Sequence, residues 1–315
     1  MKELYRIKNW SEYNKSLIQR GNIFLWFDEE TIDLWNKDDR QILNGRPREY
    51  SDTAILCITM IGQVFKSPLR TCQGFVESIL KKISPKLKTP NYTCVCRRRQ
   101  KLNVSLKNSI VKSGQNGEAI HIVVDSTGLK VFGEGEWKVR MHGYSKRRKW
   151  RKVHIGLDEK TKEVVAVETT DCNIHDSKLL AAILMLSEMT IKQVSADGAY
   201  DTKECYDVID SCSAKAVIPP REGAVVSSKE DLKVSEHKRN ENIIEIEKQG
   251  KKVWKKQNNY HRRSLAENFF MRLKTIFTDK LTARLEASQK VEVLARCFIL
   301  NRFINLGRPV SVVVS

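Results

Sequence analysis

Three acidic residues, Asp125, Asp197 and Glu267, stand where a chain could gather a divalent cation. Asp125 ends an apolar run, His121-Ile-Val-Val, that reads as a buried strand. Asp197 follows a second run, Gln193 to Ala196, and Gly198 after it allows close backbone approach. If the two strands are neighbours, their carboxylates converge. Touching carboxylates repel unless a proton or cation sits between them. Hard oxygen ligands of this kind suit Mg²⁺, with Mn²⁺ as a substitute. Two such ions, about 3.5–4 Å apart, activate an attacking oxygen and stabilise a leaving one in an in-line phosphoryl displacement. The expectation is therefore a site of two ions, with Asp125, Asp197 and Glu267 as ligands and catalytic residues.

Glu267 falls on a stretch that reads as a helix from Tyr260 onward. With ~100° per residue and Tyr260 at 0°, Arg263 lies at about −60°, Glu267 at about −20° and Lys274 at about −40°. The four form one stripe, while Leu265, Phe269, Leu273 and Ile276 fall on the opposite side. An amphipathic surface helix with solvated charges has the same geometry. On the chemical reading, Arg263 grips phosphate oxygens through its planar fork and Lys274 as a point charge. Tyr260 donates a hydrogen bond to a phosphate or supports Glu267.

The elements that must position these residues begin near Glu118. Strands are expected at 121–125, 150–157, 164–169, 193–196 and 215–218. Helices are expected from Asp176, as a cap, through Leu186, and from Thr202 to Ser211. That β-β-β-α-β-α-β order is the order of a ribonuclease-H-like α/β fold, a mixed five-stranded sheet with helices on both faces. Residues 223–259 interrupt it as a polar insertion, with a short strand or hairpin expected around Ile243, Ile244 and Ile246. Trp254 in this insertion is expected to pack, with a wedge against an unpaired base as the alternative.

Residues 1–115 read as a separate helical domain, and 116–315 as the catalytic one. Helices are expected at 53–64, at 73–83 under a Thr71 cap, and at 93–102. The last carries Arg97, Arg98 and Arg99. Short helices with a basic final one fit a helix-turn-helix DNA-binding module, or an ordinary bundle with a solvated face.

Charge distribution agrees with a polyanion partner. The chain has 315 residues and a formal net charge of +18. Residues 1–115 hold +10 of it, whereas 116–222, with the two aspartates, come to −1. A basic frame around retained carboxylates suits metal-dependent chemistry on nucleic acid. Between Lys138 and Lys152 lie eight basic residues and no acid, among them Lys146, Arg147, Arg148, Lys149 and Arg151. Trp137, His142, Tyr144 and Trp150 are interleaved or adjacent, so a phosphate-gripping hairpin beside Asp125 is expected. The eight cysteines include no CxxC pair and are expected to be reduced. The N-terminus lacks a signal-peptide pattern, and no apolar run is long enough to span a bilayer. A cytoplasmic protein without membrane partners is expected.

Three stretches, taken together, resemble DDE transposases of bacterial insertion sequences, in the branch called IS-five-like. They are DSTGLKVFGEGEWKVRMHG (Asp125 to Gly143), SADGAYD (Ser195 to Asp201) and YHRRSLAENFFMRLK (Tyr260 to Lys274). The last matches Tyr-x2-Arg-x3-Glu-x6-Lys without a gap. The resemblance implies that Asp125, Asp197 and Glu267 are the metal-binding triad, and that Tyr260, Arg263 and Lys274 complete the signature. It further implies Mg²⁺, double-stranded DNA with terminal inverted repeats and a target site as substrate, and a homodimer or larger assembly in the bacterial nucleoid. A nuclease that cuts without rejoining, and a non-catalytic DNA-binding protein, are the competing functions.

Overall fold

The computed structural model of the protein describes residues 4–36, 48–102, 104, 106, 118–131, 150–228 and 232–314. The N-terminal part runs β1 (Leu4–Ile7), α1 (Trp10–Gln19), α2 (Glu29–Asp33), α3 (Asp52–Val64), α4 (Leu69–Ile83) and α5 (Tyr92–Arg98). Next come β2 (Ile120–Lys130), β3 (Trp150–Asp158), β4 (Val164–Asp171), α6 (Leu180–Ser187), β5 (Ile191–Ser195), α7 (Lys203–Ser211) and β6 (Lys215–Val217). The chain finishes with α8 (Val234–Gln249), α9 (Lys251–Gln257), α10 (Ser264–Phe277), α11 (Glu286–Leu306) and β7 (Ser311–Val314).

Two compact units result. One joins Met1–Val104 to Leu285–Ser315, and the other is Ser105–Arg284. The C-terminal helix thus belongs with the N-terminal helices, not with the sheet that precedes it in sequence. The physical reason lies in α11. Val291, Val293, Ala295, Cys297, Ile299 and Leu300 are buried around much of its circumference, so it needs partners on several sides. The apolar α3, buried from Ala54 to Gly62, packs against it. The Ser51 hydroxyl caps α3, accepting from the Ala54 amide at 3.0 Å.

The second unit is built on a mixed five-stranded sheet of order β4-β3-β2-β5-β6. β2 pairs antiparallel with β3, and β3 with β4; β2 pairs parallel with β5, and β5 with β6. Ile122, Val124, Ile183, Val194, Tyr200, Tyr206 and Ile209 form the core on one face. Gly156 lets α6 approach it. A Cβ there would stand 2.6 Å from Ile122 Cδ1 and 2.9 Å from Ile183 Cγ2, closer than packed atoms tolerate. α10 crosses β2 and β3, burying Ala266, Phe269, Phe270, Leu273 and Phe277.

Several local expectations change. α4 starts at Leu69 directly after Pro68, and Thr71 lies inside its first turn; a proline at a helix start loses nothing by lacking an N–H. α5 starts at Tyr92 under an Asn91 cap, and the tail of that segment narrows to a 3₁₀ turn at Arg99–Lys101. β2 continues past Asp125 to Lys130 because β3 pairs with it over that whole length. The insertion holds helices α8 and α9, and no strand among its described residues. Its Lys/Glu alternation concealed a helix that faces α7 largely through polar side chains. Lys203–Glu236, Lys233–Asp207 and Lys238–Asp210 pair α8 with α7, and Ser235 adds a hydrogen bond to Asp207.

Candidate active site

Strand register brings the two aspartates together. Val123 on β2 pairs with Ser195 on β5. Asp125 and Asp197 each lie two residues beyond that pair, so each side chain returns to the face its pair occupies. Asp125 is still in a strand, and its Oδ1 accepts from the Ser126 amide at 2.9 Å. Asp197 sits where β5 has just ended. It caps the 3₁₀ turn Gly198–Tyr200, its Oδ1 accepting from the Ala199 amide at 2.9 Å.

Glu267 arrives on the first turn of α10. That helix is held at both ends. At its start, Trp254 is fully buried and packs on Tyr260 with ring centroids 5.9 Å apart. Trp254 is therefore core, as the packing reading expected, and does not protrude as a wedge. Tyr260 belongs to the 3₁₀ turn Tyr260–Arg263 and is 8% exposed. At the other end the chain is stitched to β2, with Lys130 N donating to Asp279 O and Leu281 N to Lys130 O, both at 2.8 Å.

Arg263 stands between the carboxylates. Its Nη1 donates to Asp125 Oδ2 at 2.9 Å and its Nη2 to Glu267 Oε1 at 2.7 Å. The sequence reading gave this guanidinium to phosphate; here it bridges two acids. Lys274 reaches Thr127, donating to Oγ1 at 2.7 Å. Thr127 lies two residues beyond Asp125 on β2, on the same face. One cluster thus gathers Asp125, Asp197, Arg263, Glu267 and Lys274, with Tyr260 at its base. Burial pushes the Asp125 carboxyl up to about 6, and the charges of Asp197 and Glu267 add to this, against the Ser126 amide and Arg263. The same three carboxylates raise the Tyr260 hydroxyl, after burial as the largest cause.

The donor set is chemically suited to a hard divalent cation. It offers three carboxylates, and the Asp125 carboxyl is raised mainly by its burial. Among the described residues no three acidic, His or Cys side chains are already gathered at metal-binding distance. Arg263, between Asp125 and Glu267, fills the role of cation.

A family model described as "Transposase DDE domain" matches residues 116–302, more than half of the chain and all of this cluster. The chain belongs to the DDE-domain transposases. A second model of the same description matches residues 18–134. A piggyBac transposase, solved as a synaptic complex with hairpin DNA, is similar over 92% of this chain and 74% of that one, at 12% identity and a TM-score of 0.40.

Other residues expected to touch DNA in this transposase are distributed unevenly. Arg97 is exposed, but Arg98 pairs with Asp52 at 2.6 Å and donates to the Tyr50 carbonyl, tying α5 to the start of α3. Arg99 is half-buried. Arg151 pairs with Asp171 across β3 and β4. Lys146, Arg147, Arg148 and Lys149 lie outside the described residues. Asp176 does not cap a helix with its side chain. It opens a 3₁₀ turn and meets Lys152 at 2.8 Å and the buried His154 at 3.4 Å. Burial lowers His154 to about 4. All eight cysteines are free thiols. No helix among the described residues is long and apolar enough to cross a membrane.

Sequence reasoning missed Thr127, Arg221, Asp201 and Arg239. Asp201 closes the SADGAYD motif, and Arg221 follows Pro219-Pro220 after the last strand, which were the available signals. Arg239 had none, being one of several cations on a polar helix.

Proposed function

We propose that this chain is an insertion-sequence transposase of the IS-five-like branch. It binds the terminal inverted repeats of its element, cleaves the DNA at the element ends and transfers the 3′-hydroxyl ends into target DNA. The observation that carries this reading is that Arg263 links Asp125 to Glu267, with Asp197 at the end of the neighbouring strand, in a chain of the DDE-domain family. The sheet order supports a ribonuclease-H-like fold for the catalytic domain.

Asp125, Asp197 and Glu267 would hold two Mg²⁺ ions, or Mn²⁺ in their place. Bound there, the ions supply an activated attacking oxygen and charge stabilisation on the leaving one. The chain's own residues do the rest. Lys274, fixed by Thr127, presents an ammonium to phosphate oxygens. Arg263, which donates to Asp125 and Glu267, would offer its planar fork to a phosphate. Tyr260 supports the helix turn from which Arg263 and Glu267 project. Water is the nucleophile in cleavage and a DNA 3′-hydroxyl in joining.

The helices of the N-terminal segment, with exposed Arg97, are read as the repeat-binding module. The basic stretch from Lys138 to Lys152 is read as a grip on the backbone near Asp125. Two element ends must be brought together, which favours a homodimer or larger assembly acting in the bacterial cytoplasm on nucleoid DNA.

The test is direct. Purified protein is mixed with labelled DNA bearing the element ends and with a target plasmid, in Mg²⁺ or in EDTA. Metal-dependent cuts at the ends and joined products are expected. Cuts without joining would make the protein a nuclease. Binding without cuts in either Mg²⁺ or Mn²⁺ would sink the catalytic reading.

A further inference from the structure

The turn that carries Asp197 is held from behind by residues outside the signature. Asp201, four positions on, has a fully buried side chain with both oxygens engaged. Arg239 of α8 donates to it through Nε at 2.7 Å and Nη2 at 3.0 Å, and the Arg221 amide donates to Oδ2 at 3.0 Å. The Arg221 guanidinium then turns back onto the turn itself. Its Nε donates to the Gly198 carbonyl at 3.0 Å and its Nη2 to the Ala199 carbonyl at 2.8 Å.

One peptide group joins this arrangement to the site. The Gly198 carbonyl and the Ala199 amide belong to the same planar unit, which rotates as a whole. Its oxygen accepts from Arg221, and its N–H donates to Asp197 Oδ1. A cation on the oxygen side fixes the direction of the N–H and polarises it, strengthening its bond to the carboxylate. One oxygen of Asp197 is thereby satisfied. Its other oxygen, Oδ2, accepts from no described residue.

We propose that Arg221 is a positioning residue for Asp197, and that Arg239, through Asp201, sets Arg221. The insertion 223–259 is thereby mechanically joined to the site: α8 packs along α7 through its ion pairs and delivers Arg239 to the buried aspartate. This inference rests on the reading of Asp197 as a metal ligand. Outer partners of a metal ligand, when removed, cost about 10–100-fold in metal affinity.

The experiment uses the full chain without DNA. Wild type, Arg221→Ala, Arg221→Lys and Arg239→Lys are titrated with Mn²⁺ by calorimetry, and amide hydrogen exchange is followed at Ala199. Arg221 is exposed, so the alanine variant is expected to fold. It should bind Mn²⁺ about 10–100-fold more weakly and exchange faster at Ala199. Arg221→Lys should recover part of both, since an ammonium still donates to the carbonyls but without the fork. Arg239→Lys should lose less than Arg221→Ala. Wild-type affinity and exchange in Arg221→Ala would overturn the proposal. So would an alanine variant that fails to fold, which would make Arg221 structural. If wild type binds no Mn²⁺, the metal reading fails, and unchanged exchange at Ala199 would separately overturn the positioning role.

Discussion

Arg263 donates to Asp125 across 138 positions of sequence, at 2.9 Å, and with its other terminal nitrogen holds Glu267. The same guanidinium that reads in the sequence as a phosphate ligand is therefore a counter-ion for two of the three acids. Only 22% of its side chain is exposed. In that half-buried setting a fixed positive charge offsets carboxylate repulsion more effectively than bulk water would. A divalent cation held by Asp125 and Glu267 would compete with it for these carboxylate oxygens.

That competition makes a prediction of definite sign. Arg263→Ala should bind Mn²⁺ more tightly than wild type in the absence of DNA, by several-fold, because no protein cation has to leave. It should bind DNA more weakly, because a phosphate ligand is gone. Calorimetric Mn²⁺ titration and a filter-binding assay with end DNA read the two halves separately. Weaker metal binding in the variant would mean that Arg263 organises the acids rather than competing for them.

A second prediction concerns pH, where the partly buried Asp125 and the buried His154 oppose each other. Asp125 is raised to about 6, so its contribution to stability is present below its unfolded value, near 4, and is lost as pH rises through 6. His154 is lowered to about 4 by burial, so its contribution is present above about 6.5 and is lost as pH falls through 4. Between pH 4 and 6 the two slopes have opposite signs and largely cancel. Asp125→Asn removes one of them. The variant should be more stable than wild type at pH 7 without metal, by on the order of 1–3 kcal/mol, and should lose stability more steeply on acidification from 6 to 4. Urea midpoints at a series of pH values test this, and parallel profiles for the two proteins would refute it. Mg²⁺ should raise the wild-type midpoint and leave that of Asp125→Asn nearly unchanged.

The strand runs around Asp125 and Asp197 were legible in sequence because a buried strand needs consecutive apolar residues and says so. Their juxtaposition followed from element order. The extension of β2 to Lys130 was not legible: Ser126, Thr127 and Gly128 carry no apolar signal, and only pairing with β3 makes them a strand. α8 was hidden for the converse reason. Its contacts with α7 are ion pairs, which leave no hydrophobic periodicity to read. Arg263 and Asp176 show a further limit. Asp176 was read as a helix cap and meets Lys152 instead, and the pairing of Arg263 with two acids had no signal in its type, because the protein partner a charged group takes depends on what long-range packing brings near. The Arg239–Asp201–Arg221 chain is of the same kind, set by tertiary placement alone.

Packing on the sheet offers a matched pair of tests. Gly156→Ala would drive a methyl into Ile122 and Ile183 at 2.6 and 2.9 Å, an overpacking that costs about 1–3 kcal/mol. Gly74 lies inside α4, and a methyl added there would meet nothing within 4 Å. Gly74→Ala should stabilise by up to about 1 kcal/mol through a smaller loss of backbone freedom on folding. Chemical denaturation of both variants gives the two signs. A tolerated Gly156→Ala would mean that α6 does not approach the sheet as closely as described.

Glu267 separates catalysis from structure most cleanly. Its side chain is 58% exposed, and its described partner is Arg263, four residues earlier. Glutamine keeps the length, keeps an oxygen for Arg263 and removes the charge. Surface changes of this kind alter stability by no more than about 0.5 kcal/mol. Glu267→Gln should therefore melt within about 2 °C of wild type and bind end DNA with unchanged affinity. It should fail to cut or join, because a neutral amide is a poor ligand for a hard dication. Activity near the wild-type level would remove Glu267 from the metal set. A large drop in melting temperature with loss of DNA binding would make it a structural partner of Arg263 instead.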